Sequence, residues 1–134
     1  MKKSRLVMVG NGMAGVRTLE ELLKIAPDLY DITVFGAEPH PNYNRILLSP
    51  VLAGEQTIDE IVLNPLSWYA EHGITLHTGK KAVRIDRVRR RVIADDDRVL
   101  VLRCRLDHRV RVVDVAVGDH AFEILARYRQ DERV

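Results

Sequence analysis

Six residues near the start of the chain have the types and the spacing to hold a phosphate. Gly10-Asn11-Gly12-Met13-Ala14-Gly15 is a G-x-G-x-x-G run. Alone, that pattern is common and says little. Its surroundings make it specific, because the apolar stretch Leu6-Val7-Met8-Val9 precedes it directly and a helical pattern follows. In that setting Gly10 permits a tight turn, Gly12 lets a pyrophosphate approach the backbone, and Gly15 lets the helix pack on the strand. Met13 and Ala14 open the helix, whose free N–H groups and partial positive charge favour phosphate oxygens. Glu38 follows roughly 20 residues later, where a carboxylate accepts hydrogen bonds from an adenosine ribose. It would repel a 2′-phosphate, so FAD or NAD fits this site better than NADP. Arg45 has the chemistry of a charge-assisted donor to a pyrophosphate, or it is a solvated cation. Tyr43 either covers a cofactor or packs.

The elements that must position these residues follow from periodicity. Arg5 to Val9 reads as a buried strand. From Met13, the apolar positions Val16, Leu19, Leu22, Leu23 and Ala26 fall at helical spacing, and Pro27-Asp28 stop the helix. Asp31 to Gly36 reads as a second strand, so the run sits in a β-α-β unit with the length a parallel crossover requires. Glu38 to Arg45, with two prolines and two asparagines, reads as irregular loop. Ile46 to Ala53 reads as a short helix closed by Gly54. Asn64-Pro65 reads as an N-cap with proline in the first helical position, opening a helix to about His72 with Gly73 beyond it. Ile74 to Thr78 is a third strand. From Lys81 the period becomes two, and Ala82 to Asp86, Arg90 to Ala94 and Val99 to Leu102 read as a three-stranded meander. The fold class expected is therefore α/β: a βαβ unit with a parallel sheet, plus a β-meander.

Composition excludes several function classes. The formal charge of 134 residues is only +2, so no overall field points to nucleic acid. Residues 1–79 sum to about −3 and residues 80–134 to about +5, an asymmetry that reads as a solvated face. Arg89-Arg90-Arg91 reads the same way. One cysteine, Cys104, excludes a disulfide framework or an all-cysteine metal site within the chain. No apolar run reaches membrane-spanning length and no secretory leader is read, so the cytoplasm is the expected setting. His40, His72 and His77 lack metal-ligand spacing, and His72 sits where a helix C-terminus welcomes positive charge. Trp68 and Tyr69 read as packing residues. Asp59 and Glu60, being adjacent, are not an opposed catalytic pair.

Three runs resemble a known family: VMVGNGMAGVRTLEELL, DITVFGAEPHPNYNRILLSPVLAGE and WYAEHGITLHTG. Together they resemble the N-terminus of NAD(P)H-dependent nitrite reductase large subunits. More loosely they resemble rubredoxin reductase-like FAD/NAD(P) pyridine nucleotide-disulfide oxidoreductases. EPHPNYNRILLS is the most specific stretch, and the resemblance covers residues 4–97. It implies a Rossmann-type FAD-binding domain, with FAD at Gly10, Gly12 and Gly15, the adenosine ribose on Glu38, and Arg45 on the flavin nucleotide. It further implies that Leu48 and Ser49 line the flavin side and that the Val83 backbone meets adenine. NAD(P)H, iron–sulfur and sirohaem belong to the full-length family, as does a nitrite reductase small subunit. The activity implied is electron transfer from NAD(P)H through FAD towards nitrite, with this chain alone expected to be inactive. The alternative is a non-catalytic adenine-dinucleotide-binding module.

Beyond residue 97 the resemblance stops. Residues 98–134 hold eight Arg and eight Val but no Lys, Ser, Thr, Asn or Pro. That is the composition of a GC-rich gene read out of frame, and truncation or a frameshift near this point is the expectation. Where relatives carry an A-T-G strand that closes the flavin site, this chain reads His108-Arg109-Val110-Arg111-Val112-Val113. Val110 to Val117 is still strand-like, and Ala121, Ile124, Leu125 and Tyr128 mark a helical face.

Overall fold

In the computed structural model, residues 3–86, 88–89, 91–96, 99–101 and 112–114 are described. Strand β1 spans Ser4–Val9, helix α1 Met13–Ile25 and strand β2 Tyr30–Phe35. The expected β-α-β order is thus present, with β1 and β2 parallel and Leu6 opposite Ile32, Val9 opposite Phe35. Helix α1 buries Gly15, Val16 and Leu19, the stripe that its spacing predicts. It ends where the Ala26 N–H bonds to Leu22 O at 2.8 Å and Pro27 follows. Strand β5, Thr75–His77, pairs parallel with β2.

Between β2 and β5, the stretch Glu38 to Arg45, expected to be irregular loop, contains a short strand. Asn42–Tyr43 form β3, which pairs antiparallel with β4, Val62–Asn64. Two- and three-residue strands carry too little periodicity to be read. The helix expected over Ile46 to Ala53 is split into a 3₁₀ turn, Arg45–Leu47, and a short α2, Leu48–Leu52. Asn44 Oδ1 accepts from the Ile46 N–H at 3.0 Å and fixes that start, and Gly54 follows at φ 75°. A second 3₁₀ turn, Asp59–Ile61, leads into β4. Helix α3 spans Leu66–Glu71 and Pro65, not Asn64, is its N-cap. Asn64 is unavailable for capping because β4 holds it and its buried amide is bonded elsewhere.

The meander is present as β6, Ala82–Asp86, β7, Arg91–Ala94, and β8, Val99–Val101, all antiparallel. Strand β9, Val112–Asp114, pairs parallel with β1 and completes the sheet order β5-β2-β1-β9. It therefore stands beside the strand that leads into the glycine run. Cys104, His108 to Arg111 and the helical face at 121–128 lie outside the described residues.

Alternation along the central strands sorts two cores onto opposite sheet faces. Leu6, Met8, Ile32 and Val34 pack with Val16, Leu19, Tyr69 and Ile74, from α1, α3 and the approach to β5. Val7 and Phe35 pack with Val92 and Ala94 of the meander. Helices cover one face and the meander the other, so the parallel strands are buried on both sides, as such sheets require. Among the described residues, no helix is long and apolar enough to cross a membrane.

Candidate functional site: a cleft at the strand ends

Strands β1 and β2 run in the same direction and end at Val9 and Phe35, so the segments that follow them form two walls of one cleft. Open parallel sheets bind ligands at this end. The cleft has a volume of about 210 Å³, and Gly10, Asn11, Gly12, Gly36, Glu38, His40, Asn42, Tyr43 and Arg45 are among the residues lining it.

The first wall is the glycine run. Gly10 has φ 107°, a conformation that disfavours any side chain, and its N–H bonds to Phe35 O at 2.8 Å. Gly12 is the N-cap of α1, extended at φ −92° and ψ 178°, with no side chain capping the helix. Its carbonyl accepts the Val16 N–H at 3.0 Å. The first turn of α1 holds no acidic residue and the last turn holds Lys24. The positive end of the helix is therefore left for an incoming anion. Gly15 is buried beneath the run. Met13 and Ala14 form the first turn, and the Ala14 carbonyl accepts from Thr18 Oγ1 at 2.9 Å.

The second wall begins at Gly36, whose N–H bonds to His77 O at 2.9 Å and whose carbonyl accepts the Lys80 N–H at 2.8 Å. The Gly79 N–H, donating to Glu38 O at 2.9 Å, holds the Glu38 backbone in place. Glu38, Tyr43 and Arg45 meet in one cluster. The Tyr43 hydroxyl donates to Glu38 Oε2 at 2.7 Å, and the Arg45 guanidinium donates to Glu38 Oε1. Arg45 also lies over the Tyr43 ring, 5.7 Å from its centroid. Bonding to Glu38, then burial, push the Tyr43 phenol above its usual range, so it stays a donor. Each carboxylate oxygen keeps a free lone pair, so Glu38 can accept a ligand hydroxyl without releasing either partner.

Ser49, on α2, and Val83, on β6, are exposed and lie outside the residues lining the cleft. His77 stacks on Phe35 with centroids 5.1 Å apart. His72 caps the C-terminus of α3, with Nδ1 2.7 Å from Trp68 O. Among the described residues, no group of His, Cys, Asp and Glu could hold a metal ion.

Sequence reasoning missed two sets of buried or part-buried side-chain bonds behind the cleft. The Tyr69 hydroxyl donates to Asn11 Oδ1 at 2.7 Å. Asn42 Nδ2 donates to Asn64 Oδ1 at 2.8 Å, and Asn64 Nδ2 donates to Glu20 Oε1 at 3.0 Å. The Asn64 bond leads the effects that hold the Glu20 carboxyl below its ordinary range. Asparagines in loops read as turn residues, and nothing in one sequence marks two of them as partners. Gly36 was missed too. A Cβ there would come within 3.0 Å of Asn11 Cβ, so the second wall must be bare at this point. Gly36→Ala is expected to destabilise the fold by about 1–3 kcal/mol, the usual range for overpacking. Urea denaturation measures it, and an unchanged midpoint would mean that the loop yields freely.

Three comparisons bear on this geometry. The family model for pyridine nucleotide-disulphide oxidoreductases matches residues 4–121. The assimilatory nitrate reductase electron transfer subunit of Bacillus subtilis is 56% identical over 100 residues, 75% of this chain and 13% of that one. The nitrite reductase [NAD(P)H] of the same organism is 54% identical over 99 residues, 74% and 12% of the two chains. The chain thus spans about an eighth of the length of these relatives. Among solved structures, the covalent putidaredoxin reductase–putidaredoxin complex superposes with a TM-score of 0.67 at 30% identity, over 75% of this chain and 24% of that one.

Proposed function

The chain belongs to the pyridine nucleotide-disulphide oxidoreductase family, and from that membership we propose that its cleft binds FAD. The observation that carries the proposal is the bare, uncapped N-terminus of α1, reached through Gly10 at φ 107° and faced by Glu38. Gly10, Gly12, Met13, Ala14 and Gly15 would receive the pyrophosphate, Glu38 the adenosine ribose, and Arg45 the flavin nucleotide. Ser49 would stand on the flavin side and the Val83 backbone would meet adenine. When bound, the flavin supplies hydride acceptance and onward electron transfer; the protein contributes binding and orientation.

In this reading residues 1–97 are the first part of an FAD domain, and residues 98–134 are a divergent tail that places β9 beside β1. The whole protein would carry electrons from NAD(P)H through FAD towards nitrite, in the cytoplasm. Iron–sulfur and sirohaem groups and a small subunit would serve the later steps. The likeness to nitrite and nitrate reductase subunits supports this assignment.

The test is the visible spectrum of the purified 134-residue chain, with titrations of FAD, ADP and NAD. A flavin spectrum, or saturable FAD binding, is expected. A colourless chain that binds ADP but not FAD would replace this reading with a non-catalytic adenine-dinucleotide module. Binding of none of the three would end both. Glu38→Gln is expected to weaken ADP binding about tenfold, or ~1.4 kcal/mol, because a charge-assisted bond to the ribose becomes a neutral one. It should also narrow the preference for ADP over its 2′-phosphorylated form. Unchanged affinity for both ligands would remove Glu38 from the site.

A further inference from the structure

The two walls of the cleft belong to distant parts of the chain, and a single side chain behind them ties one to the other. Tyr69 lies on α3, 2% exposed, packed in the helix-side core. Its hydroxyl donates to Oδ1 of Asn11, the residue between the two cleft glycines. Asn11 Nδ2 is buried and has no hydrogen-bond partner among the described residues, so the amide is oriented through Oδ1. On the other side, α3 follows β4 directly, and β4 pairs with β3 at Asn64 opposite Asn42. The buried Asn42–Asn64 side-chain bond reinforces that pairing. Burial, the largest effect on the Tyr69 phenol, holds it above its ordinary range, so the hydroxyl stays a donor to Asn11. From Asn42 the chain runs straight into Tyr43 and Arg45.

We infer that Tyr69 is a positioning residue: its hydroxyl fixes the separation between the glycine run and the Glu38–Arg45 wall, and so favours ligands that span both. This rests on the dinucleotide reading above, in which the phosphates meet one wall and the ribose the other. Adenosine touches the ribose wall alone; ADP touches both. Losing the hydroxyl therefore changes affinity for ADP and not for adenosine. The fold survives the loss because the same segment is held to α1 at a second point, through Asn64 and Glu20.

The experiment compares ADP and adenosine binding to the full chain by NMR titration, in wild type, Tyr69→Phe and Trp68→Phe. Trp68 packs on the same core without lining the cleft, so its variant reports core loosening alone. Tyr69→Phe is expected to weaken ADP about tenfold while adenosine stays within about twofold, and Trp68→Phe should leave their ratio unchanged. Asn11→Ala removes the same bond from the other end and should reproduce the selective loss, which carries the test if Tyr69→Phe fails to fold. Equal losses for both ligands, or a lowered melting temperature with neither affinity changed, would overturn the role of Tyr69. A wild-type chain that binds neither ligand would instead overturn the dinucleotide reading, and this inference with it.

Discussion

Gly12→Asp is expected to remove ADP and FAD binding, by at least about a hundredfold, or ~2.8 kcal/mol, without lowering stability. The two effects separate because of the conformation at this position. Gly12 is extended, at φ −92° and ψ 178°, which any residue adopts, so the substitution brings no backbone strain. Aspartate is also among the best N-cap residues, accepting from the backbone N–H groups of the first turn. Here those groups lack a side-chain cap, so the carboxylate supplies a missing bond and complements the helix dipole. The gain is only about a few tenths of a kcal/mol, because glycine is itself a fair N-cap residue. For a ligand the same carboxylate is a competitor, since it occupies the donors the phosphates need. It also sets a negative charge within a few ångströms of them, where one pair of like charges costs about 4 kcal/mol at an effective dielectric near 20. Calorimetric titration and thermal denaturation of one sample measure both quantities. ADP binding within tenfold of wild type would show that the phosphates do not sit at this helix end.

How much of this was legible beforehand depended on element length and on whether a residue acts through its backbone. Strand β1, helix α1 and strand β2 were readable because Leu6 to Val9 is an unbroken apolar run and Val16, Leu19, Leu22 and Leu23 repeat at helical spacing. The meander was readable from its period of two. Gly10 and Gly12 were readable because their contribution is an absent side chain at fixed spacing after a strand. Strands β3 and β4 were not, since two or three residues define no period. The cap of α3 was misplaced by one residue because a buried partner recruited Asn64. Glu38, Tyr43 and Arg45 were each noted singly. Their meeting depends on the 3₁₀ turn that Asn44 starts, a geometry that spacing within an irregular loop does not encode. The hydroxyl of Tyr69 was hidden for a related reason: an aromatic residue in a helix reads as packing, and it does pack. Only the fold reveals that its polar end reaches the glycine run.

Leu19→Ala makes the complementary prediction: stability falls and the site is spared. Leu19 is 0% exposed and lies among Leu6, Met8, Val16, Ile32 and Val34, at the contact of α1 with the sheet. Truncation there loses transfer free energy and leaves a cavity, for about 2–5 kcal/mol. A domain of this class holds about 5–15 kcal/mol in all, so a substantial part of its stability is at stake. The melting temperature should drop by about 10–20 °C. Val92, equally buried, sits in the smaller core against the meander. Val92→Ala removes less side chain and is expected to cost less, which ranks the two faces of the sheet. Leu19 does not line the cleft, so the folded variant should bind ADP within about threefold of wild type. Ligand linkage then connects the site to the fold. ADP at a hundred times its dissociation constant stabilises the native state by about 2.7 kcal/mol. The Leu19→Ala chain should recover the same increment as wild type, and the Gly12→Asp chain should recover none. If ADP stabilised both variants equally, the helix N-terminus would not be its site. If it stabilised neither, the core beneath α1 would be part of the binding machinery and not merely its support.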